Sequence, residues 1–121
     1  MMRALIFILL ALAGSNALAG YDLHITRKAF WADETGPAIS AAEWTAYVAA
    51  DAQVQRDPDN SENDFIVLIG AERFPLWFDL ERGEAYTKSP SDQAITKLID
   101  IAQRLDAQVQ GDDGEPYPPH D

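Results

Sequence analysis

The fold is decided by the stretch FIVLIGAERFPLWFDLERGEAYTK, residues 65–88. Its first part, residues 65–69, is a continuous β-branched and aromatic run, which predicts a central strand covered on both faces or mostly so. Residues 76–80 predict the next strand, residues 81–84 a tight turn, and residues 85–88 a third strand. The stretch therefore predicts a three-stranded antiparallel meander.

A strand and a helix are predicted before this meander. Residues 21–27 alternate between apolar and polar side chains, which is typical of a strand. Ser40 and Glu43 can form a capping box at the start of a helix that runs to about residue 51. The apolar side chains predicted to face the core from this helix have i, i+3, i+4 spacing: Trp44, Tyr47 and Val48.

A second helix and a last strand are predicted after the meander. Ser89 as N-cap and Pro90 in the first position indicate a helix that runs to about residue 106. Its predicted apolar stripe consists of Ile95, Leu98, Ile99, Ala102 and Leu105, and its predicted outward side chains are Lys97, Asp100 and Arg104. Residues 107–110 can form a short last strand. The order β-α-β-β-β-α-β predicts an α+β fold, with two helices packed on one face of a mainly antiparallel sheet.

The first residues indicate an exported protein. Residues 1–19 have a short basic start, an apolar run at 4–13 and an Ala-x-Ala ending at Ala17 and Ala19, which are the three parts of a secretory signal peptide. The apolar run is shorter than the roughly 17 to 25 residues that span a bilayer. We therefore expect cleavage after Ala19, and residues 20–121 to form one domain with a frayed, acidic and proline-rich tail. In a Gram-negative bacterium the simplest destination is the periplasm.

The charge of the chain argues against several classes of partner. It has 9 basic and 20 acidic side chains and a net charge of −11, and loss of Arg3 with the signal peptide would make it one unit more negative. Nucleic acid and anionic lipid surfaces are unfavourable partners for such a chain. We therefore expect no nucleic acid partner, and no membrane contact after signal cleavage. The chain has no cysteine, so disulfides do not stabilise it.

The chain lacks the motifs that specify common catalytic and metal centres. It has no HExxH, no GxSxG, no glycine-rich phosphate loop and no cysteine nucleophile, and its only histidines are His24 and His120. Asp79 and Glu81 lie two residues apart, which places them on one solvated strand face rather than in an acid/base pair. We therefore expect no enzyme activity, no cofactor and no metal site.

The polar segment at 57–64 has oxygen-bearing side chains at alternating positions, like the start of a calcium-binding loop. However, Glu62 stands where the sharp turn needs glycine, and Leu68 stands where the bidentate glutamate belongs. We interpret the segment as a solvated acidic loop. The GDDG sequence at 111–114 could hold a hard cation too, although Asp-Gly is first of all a turn signal.

Polar side chains near both chain ends will lie close together if the first and last strands pair. They are His24, Thr26 and Arg27 on the first strand and Asp112, Asp113 and Glu115 near the end. One interpretation is a polar site that binds a cation or an anionic ligand. The other, which we favour, is a structural salt-bridge network that ties the chain ends together.

Two segments resemble a family of small bacterial proteins. That family pairs a YDLHITR-like opening, here at 21–27, with a VQGDDGE-like ending, here at 109–115, and Trp31 and the step from Glu43 to Trp44 look similar too. Some of its members look like immunity proteins encoded beside secreted antibacterial toxins. The resemblance implies a toxin-neutralising function. Because a signal peptide precedes the first strand here, the toxin would be met outside the cytoplasm.

We therefore interpret the chain as a periplasmic immunity protein that binds and neutralises a cognate secreted toxin. A strongly acidic domain suits fast, electrostatically steered binding to a basic partner, and the lack of catalytic motifs suits a stoichiometric inhibitor. We expect acidic loop residues to insert into a basic cleft of the toxin, either Asp57, Asp59 and Glu62 or Asp112, Asp113 and Glu115. Trp31 and Trp77 are the candidate aromatic anchors. The alternative is a periplasmic module for envelope maintenance, or for binding a small ligand or cation, without a toxin partner.

Overall fold

A computed structural model describes residues 21–119 of the chain. The predicted signal peptide and His120 lie outside these residues. The strands are β1 (Asp22–Thr26), β2 (Val54–Arg56), β3 (Asp64–Ile69), β4 (Glu72–Asp79), β5 (Glu84–Lys88), β6 (Gln108–Gly111) and β7 (Pro116–Tyr117). The helices are α1 (Ala41–Ala50) and α2 (Asp92–Arg104). Neither described helix combines the length and the apolar character that crossing a bilayer requires.

The strands form one antiparallel sheet in the order β2-β3-β4-β5-β1-β6-β7. The predicted meander is its β3-β4-β5 part, and β1 lies between β5 and β6. In this register Ile25 on β1 lies opposite Ala85 on β5 and opposite Val109 on β6. The predicted α+β class, with two helices and a mainly antiparallel sheet, is confirmed.

The core lies between one face of this sheet and the two helices. Alternate side chains of the central strands point into it and pack against buried side chains of α1 and α2. The Trp44 ring of α1 stacks on Phe78 with centroids 5.2 Å apart and meets Phe65 edge-on at 5.4 Å. Leu98 and Ile101 of α2 are fully buried in the same cluster. The opposite face of the sheet has no helix on it within residues 21–119.

The starts of the two helices follow local capping signals. Ser40 accepts a hydrogen bond from the Glu43 backbone N–H, and the Glu43 carboxylate accepts one from the Ser40 N–H, so the predicted capping box is confirmed. The prediction of Ser89 as the second N-cap and of Pro90 in the first helical position is wrong, because Ser91 is the N-cap of α2 and Pro90 precedes it. The Ser89 N–H still donates to the carbonyl of Tyr21 at 2.7 Å. The sheet ladder therefore continues through Ser89, and the helix starts only after it.

The sheet contains two short strands that the sequence pattern does not predict. β2 has three residues, of which one is buried, and β7 has two residues. β4 also begins four residues before the predicted start, because it pairs with β3 over six positions. Segments this short have too few alternating positions to reveal a period of two. Part of the predicted frayed tail, Pro116–Tyr117, is paired with β6.

Lys97 is buried on α2, so its predicted outward position is wrong. Its ammonium group lies 2.8 Å from a carboxylate oxygen of Asp51, and only 9% of the side chain is exposed. The same carboxylate accepts a hydrogen bond from the Tyr47 hydroxyl. Burial raises the pKa of Asp51, but the hydrogen bonds from Lys97 and Tyr47 outweigh it and hold that pKa below its usual value. This network joins the end of α1 to the middle of α2.

Replacement of Asp51 by asparagine should destabilise the fold by about 2 kcal/mol, because it leaves the buried Lys97 ammonium without its counter-charge. The folded pKa of Asp51 is lower than the unfolded one. Its contribution is therefore present above the unfolded pKa of 3.8 and is lost as the pH falls through the folded pKa. Urea unfolding at neutral and acidic pH measures the difference between the two proteins, which should shrink in acid.

The matched control is Asp100→Asn, because Asp100 is more exposed and lies 3.8 Å from the Lys97 ammonium. It should change the free energy of unfolding much less than Asp51→Asn does. An equal loss in both variants would show that Asp51 is not the principal partner of Lys97.

Candidate functional site

A polar cluster centred on His24 lies on the helix-free face of the sheet. We call it the His24 cluster, and it consists of His24, Trp31, Glu84 and Asp112. His24 Nδ1 lies 2.6 Å from Glu84 Oε2, and His24 Nε2 lies 2.9 Å from Asp112 Oδ1. The Trp31 ring stacks on the imidazole, with centroids 3.8 Å apart and an angle of 8° between the ring planes. The cluster therefore joins β1, the start of β5 and the loop after β6.

The inner side of the His24 cluster is closed to solvent and its outer side is open. The side chains of His24 and Glu84 are 3% and 2% exposed, whereas Asp112 is 34% exposed. Burial lowers the pKa of His24, but the hydrogen bonds to Glu84 and Asp112 outweigh burial and raise it. Carboxylates only accept hydrogen bonds, so each ring nitrogen that faces one needs a proton or another positive group.

One oxygen of this buried cluster has no partner. Glu84 Oε1 is inaccessible to solvent and accepts no hydrogen bond, and a buried acceptor of this kind has a free-energy cost. Glu84 borders a shallow cavity of about 210 Å³. The other side chains that line this cavity are Asp22, His24, Trp31, Asp79, Arg82 and Tyr86. A hydrogen-bond donor or a cation in this cavity would therefore lie in strongly acidic surroundings.

The two segments that carry the family resemblance meet at this cluster. Pairing of β1 with β6 brings His24 next to Asp112, and the Tyr21 hydroxyl donates a hydrogen bond to Glu115. Burial and that hydrogen bond raise the pKa of Tyr21 to about 12. Asp113 lies in the same loop, is exposed, and donates its backbone N–H to Glu115 at 3.1 Å. The expected proximity of the chain ends is therefore present, although the contact of Tyr21 was not predicted.

Hydrogen bonds to β6 and to the loop after it hold Trp31 in place. Its backbone N–H donates to Gln110 Oε1 and its indole N–H donates to the Asp112 carbonyl, both at 2.9 Å. The Arg82 guanidinium lies over the indole, 5.2 Å from the ring centroid, and 3.8 Å from Asp79. Trp31 is thus a structural part of the cluster, with one cation resting on its ring.

Arg27 does not join the His24 cluster. Its guanidinium forms a bidentate ion pair with Glu43 of α1 at 2.8 and 2.9 Å, and it donates to the carbonyl of Leu105 after α2. The hydrogen bond from Arg27 lowers the pKa of Glu43 to about 2. Arg27 therefore ties β1 to both helices at the other end of the strand.

The predicted acidic contact residues do not form one surface. Asp57, Asp59 and Glu62 lie between β2 and β3, whereas Asp112 and its neighbours follow β6 at the opposite end of the strands. Four strand spacings of about 4.8 Å each separate β3 from β6. One small basic cleft therefore cannot take both groups. Asp57 also shapes its own loop, because it accepts hydrogen bonds from the Asp59 N–H and the Asn60 amide.

Four rings form a row across the helix-free face, which we call the aromatic row: Trp31, His24, Tyr86 and Trp77. Tyr86 lies opposite His24 on one side and opposite Trp77 on the other. Its ring centroid is 6.2 Å from that of His24 and 5.4 Å from that of Trp77. Trp77 and Tyr86 are both partly exposed. Alternation along each strand is the sequence signal that could have placed Tyr86 and Trp77 on this face.

The chemistry of the His24 cluster suits binding rather than nucleophile activation. In a catalytic triad, one ring nitrogen of the histidine faces a carboxylate and the other faces the hydroxyl or thiol of the nucleophile. Here that nitrogen faces Asp112. Among residues 21–119, one group of three side chains can offer ligand atoms to a single metal ion, namely Asp22, His24 and Asp112, whose ligand atoms lie within 4.8 Å of one another.

Comparisons with known proteins leave the family unassigned, since no family model matches the chain and neither a curated protein nor a solved structure is significantly similar to it. The resemblance to the immunity-like family stays a prediction.

Replacement of Glu84 by alanine should destabilise the fold by about 3 kcal/mol, because it removes a buried partner of His24 and leaves a charged ring facing an empty space. Glu84→Gln should cost less, since its amide oxygen can still accept the hydrogen bond from Nδ1. Urea unfolding measures both values.

Glu81→Ala provides the control, since Glu81 is exposed in the turn next to Glu84. It should leave the unfolding midpoint unchanged. A midpoint for Glu84→Ala equal to that of the control would mean that the buried ion pair does not contribute to stability.

Proposed function

We propose that this protein is an exported immunity-type protein that binds and neutralises a basic toxin in the cell envelope. The observation that carries the proposal is the composition of the helix-free face, where partly exposed aromatic rings stand among carboxylates. Stoichiometric binding through such a face requires no catalytic group. The acidic charge of the whole chain supports the same class of partner.

The helix-free face is more apolar than a solvated sheet face normally is. When helices cover one face of an antiparallel sheet, side chains on the water face are usually polar. Here the side chains that point away from the helices include Ile66, Leu68, Trp77 and Tyr86, and all four are half-buried. Residues 65–69 are predicted to be covered on both faces or mostly so, whereas within residues 21–119 no helix covers this second face. A partly exposed apolar surface of this kind supports a protein contact.

Carboxylates flank the exposed end of the aromatic row. Asp64 lies opposite Trp77 across the β3-β4 pair, and Asp79 follows Trp77 by two residues on the same face of β4. We call Trp77, Tyr86, Asp64 and Asp79 the contact face. A lysine or arginine of the partner could stack on a ring and pair with a carboxylate at the same time. The exposed Asp59 and Glu62 lie in the loop that precedes Asp64, but Glu62 borders a cavity with Trp44 and Thr45 of α1 and therefore lies on the helical side.

The immunity function is tested with tagged protein that starts at Gly20, used to capture partners from periplasm and secretome at low and moderate salt. A secreted basic protein that stops growth when exported, unless this protein is co-expressed, supports the proposal. If the captured proteins are harmless on export, or kill cells equally with and without this protein, the immunity proposal is wrong.

Trp77→Ala should weaken binding of the captured toxin by about 30-fold or more, since aromatic residues at the centre of an interface supply much of its binding energy. The double variant Asp64→Asn with Asp79→Asn should mainly slow association and reduce its dependence on salt. Asparagine retains the oxygens that accept local hydrogen bonds from Ser61 and Glu81. Surface plasmon resonance measures the association and dissociation rate constants of each variant.

The matched control for these variants is Asp106→Asn, an exposed carboxylate after α2 on the helical side of the molecule. Its association rate should equal that of the unchanged protein. If Trp77→Ala binds with unchanged affinity while its circular dichroism spectrum is native, the partner uses another surface.

A further inference from the structure

Three ligand atoms converge at the open side of the His24 cluster. Asp22 and His24 are two residues apart on β1, so their side chains point to the same face of the sheet. Asp112 follows Gly111, which pairs with Leu23 between them. The Asp22 N–H donates to Asp112 Oδ2 at 3.1 Å and fixes that carboxylate beside His24. The pairing of β1 with β6 therefore builds this group from both ends of the chain.

The spacing of these atoms suits one metal ion. Two ligand atoms that each lie about 2.1 Å from a metal ion are about 3.0 Å apart when the ligand–metal–ligand angle is about 90°. The distance from His24 Nε2 to Asp112 Oδ1 is 2.9 Å. Asp22 offers a carboxylate oxygen as third ligand atom, and the ligand atoms of the three residues all lie within 4.8 Å of one another.

His24 is oriented as metal-binding histidines usually are. Such a histidine donates its second ring N–H to a carboxylate, which fixes the tautomer and the direction of the ligating nitrogen. Glu84 accepts at this position, with 2.6 Å between its oxygen and His24 Nδ1. The stacked Trp31 ring fixes the plane of the imidazole. Nε2 is thereby directed at Asp112.

The unpartnered oxygen of Glu84 is a second, independent observation at this group. Glu84 is 2% exposed, its Oε1 accepts no hydrogen bond, and it lines the same cavity as Asp22 and His24. Two cations in the neighbourhood, Lys88 and Arg82, are surface side chains already paired with Asp22 and Asp79. A buried carboxylate oxygen without a donor is costly, and a divalent ion on His24 Nε2 would keep positive charge next to Glu84 after the Nε2 proton is lost.

We propose that Asp22, His24 and Asp112 bind a divalent transition-metal cation, with Glu84 as the carboxylate that orients His24. One imidazole and two carboxylates suit Mn²⁺, Fe²⁺ or Zn²⁺ better than Ca²⁺, which takes six to eight oxygen ligands. The cation replaces the Nε2 proton, and Nδ1–H still donates to Glu84. This site goes beyond the proposed toxin binding and does not depend on it, because its three ligands lie on β1 and after β6, although Asp79 and Tyr86 of the contact face line the same cavity.

Metal binding is tested on protein whose affinity tag has been removed and which has been treated with EDTA and dialysed. Isothermal calorimetry with ZnCl₂ and with MnCl₂ should give one site per chain, and saturating cation should raise the melting temperature by about 5 °C. Asp22→Asn and Asp112→Asn should each weaken binding by about tenfold or more, as should Glu84→Gln. Asp106→Asn, which changes an exposed aspartate after α2 on the helical side, should bind like the unchanged protein.

The three tryptophans locate the bound ion independently of stability. The Trp31 indole N–H donates to the Asp112 carbonyl and lies beside the proposed site, whereas Trp44 is in the core on the other face of the sheet. Substoichiometric Mn²⁺ should therefore broaden the indole proton resonance of Trp31 first, that of Trp77 less, and that of Trp44 least.

Three outcomes would overturn the metal site. The first is the absence of saturable binding of either cation at millimolar concentration. The second is binding by Asp22→Asn and Asp112→Asn with the affinity of Asp106→Asn, provided that their melting temperatures in EDTA are native. The third is equal broadening of Trp31 and Trp44, which would place the ion elsewhere on the acidic surface. None of these results bears on the toxin partner, which is tested with Trp77→Ala.

Discussion

The pairing of β1 with β5 on one side and β6 on the other is the constraint on which the rest of the structure depends. Side chains alternate along a strand, so β1 sends Leu23 and Ile25 into the core and His24 to the opposite face. Because the two apolar residues fix the register, a slip by one residue would expose them and bury the imidazole among aliphatic side chains. The position of His24 is therefore a consequence of core packing. The same pairing brings the loop after β6 to His24 and supplies Asp112.

This arrangement has a free-energy cost, because it buries the charged groups of Glu84 and His24 outside the hydrophobic core. Hydrophobic packing between the sheet and the helices is complete without the His24 cluster, which lies on the other face. Burial of Glu84 and His24 is nevertheless almost total, and one Glu84 oxygen stays without a partner. Replacement of a buried ion pair by apolar residues is often neutral or stabilising. A purely structural role thus leaves the retention of so much buried charge unexplained, whereas binding of a cation or a basic group gives it a physical reason.

Local signals in the sequence account for much of the fold and for little of the site. The capping box of Ser40 and Glu43 and the alternation in β1 depend on neighbouring residues, and both are present as predicted. Burial of Glu84 and Lys97 depends on partners 60 and 46 residues away in the chain. A glutamate after a turn and a lysine on a helix both look solvated until the pairing of the strands and the packing of the helices are known. Local pattern therefore predicts Glu84 in the turn and Lys97 on the outward side of the helix, whereas both side chains are buried.

The metal ligands and the contact face share one surface, yet their electrostatic effects are separable. β4 lies two strands from β1, a distance of about 10 Å, which is about one Debye length at 0.1 M ionic strength. A divalent ion beside His24 would therefore cancel negative charge near Tyr86 while its field is largely screened at Trp77 and Asp64. Attraction of a basic partner would then depend on the carboxylates of β3 and β4. Tyr86, between the metal ligands and Trp77, would be the contact-face ring that metal binding affects most.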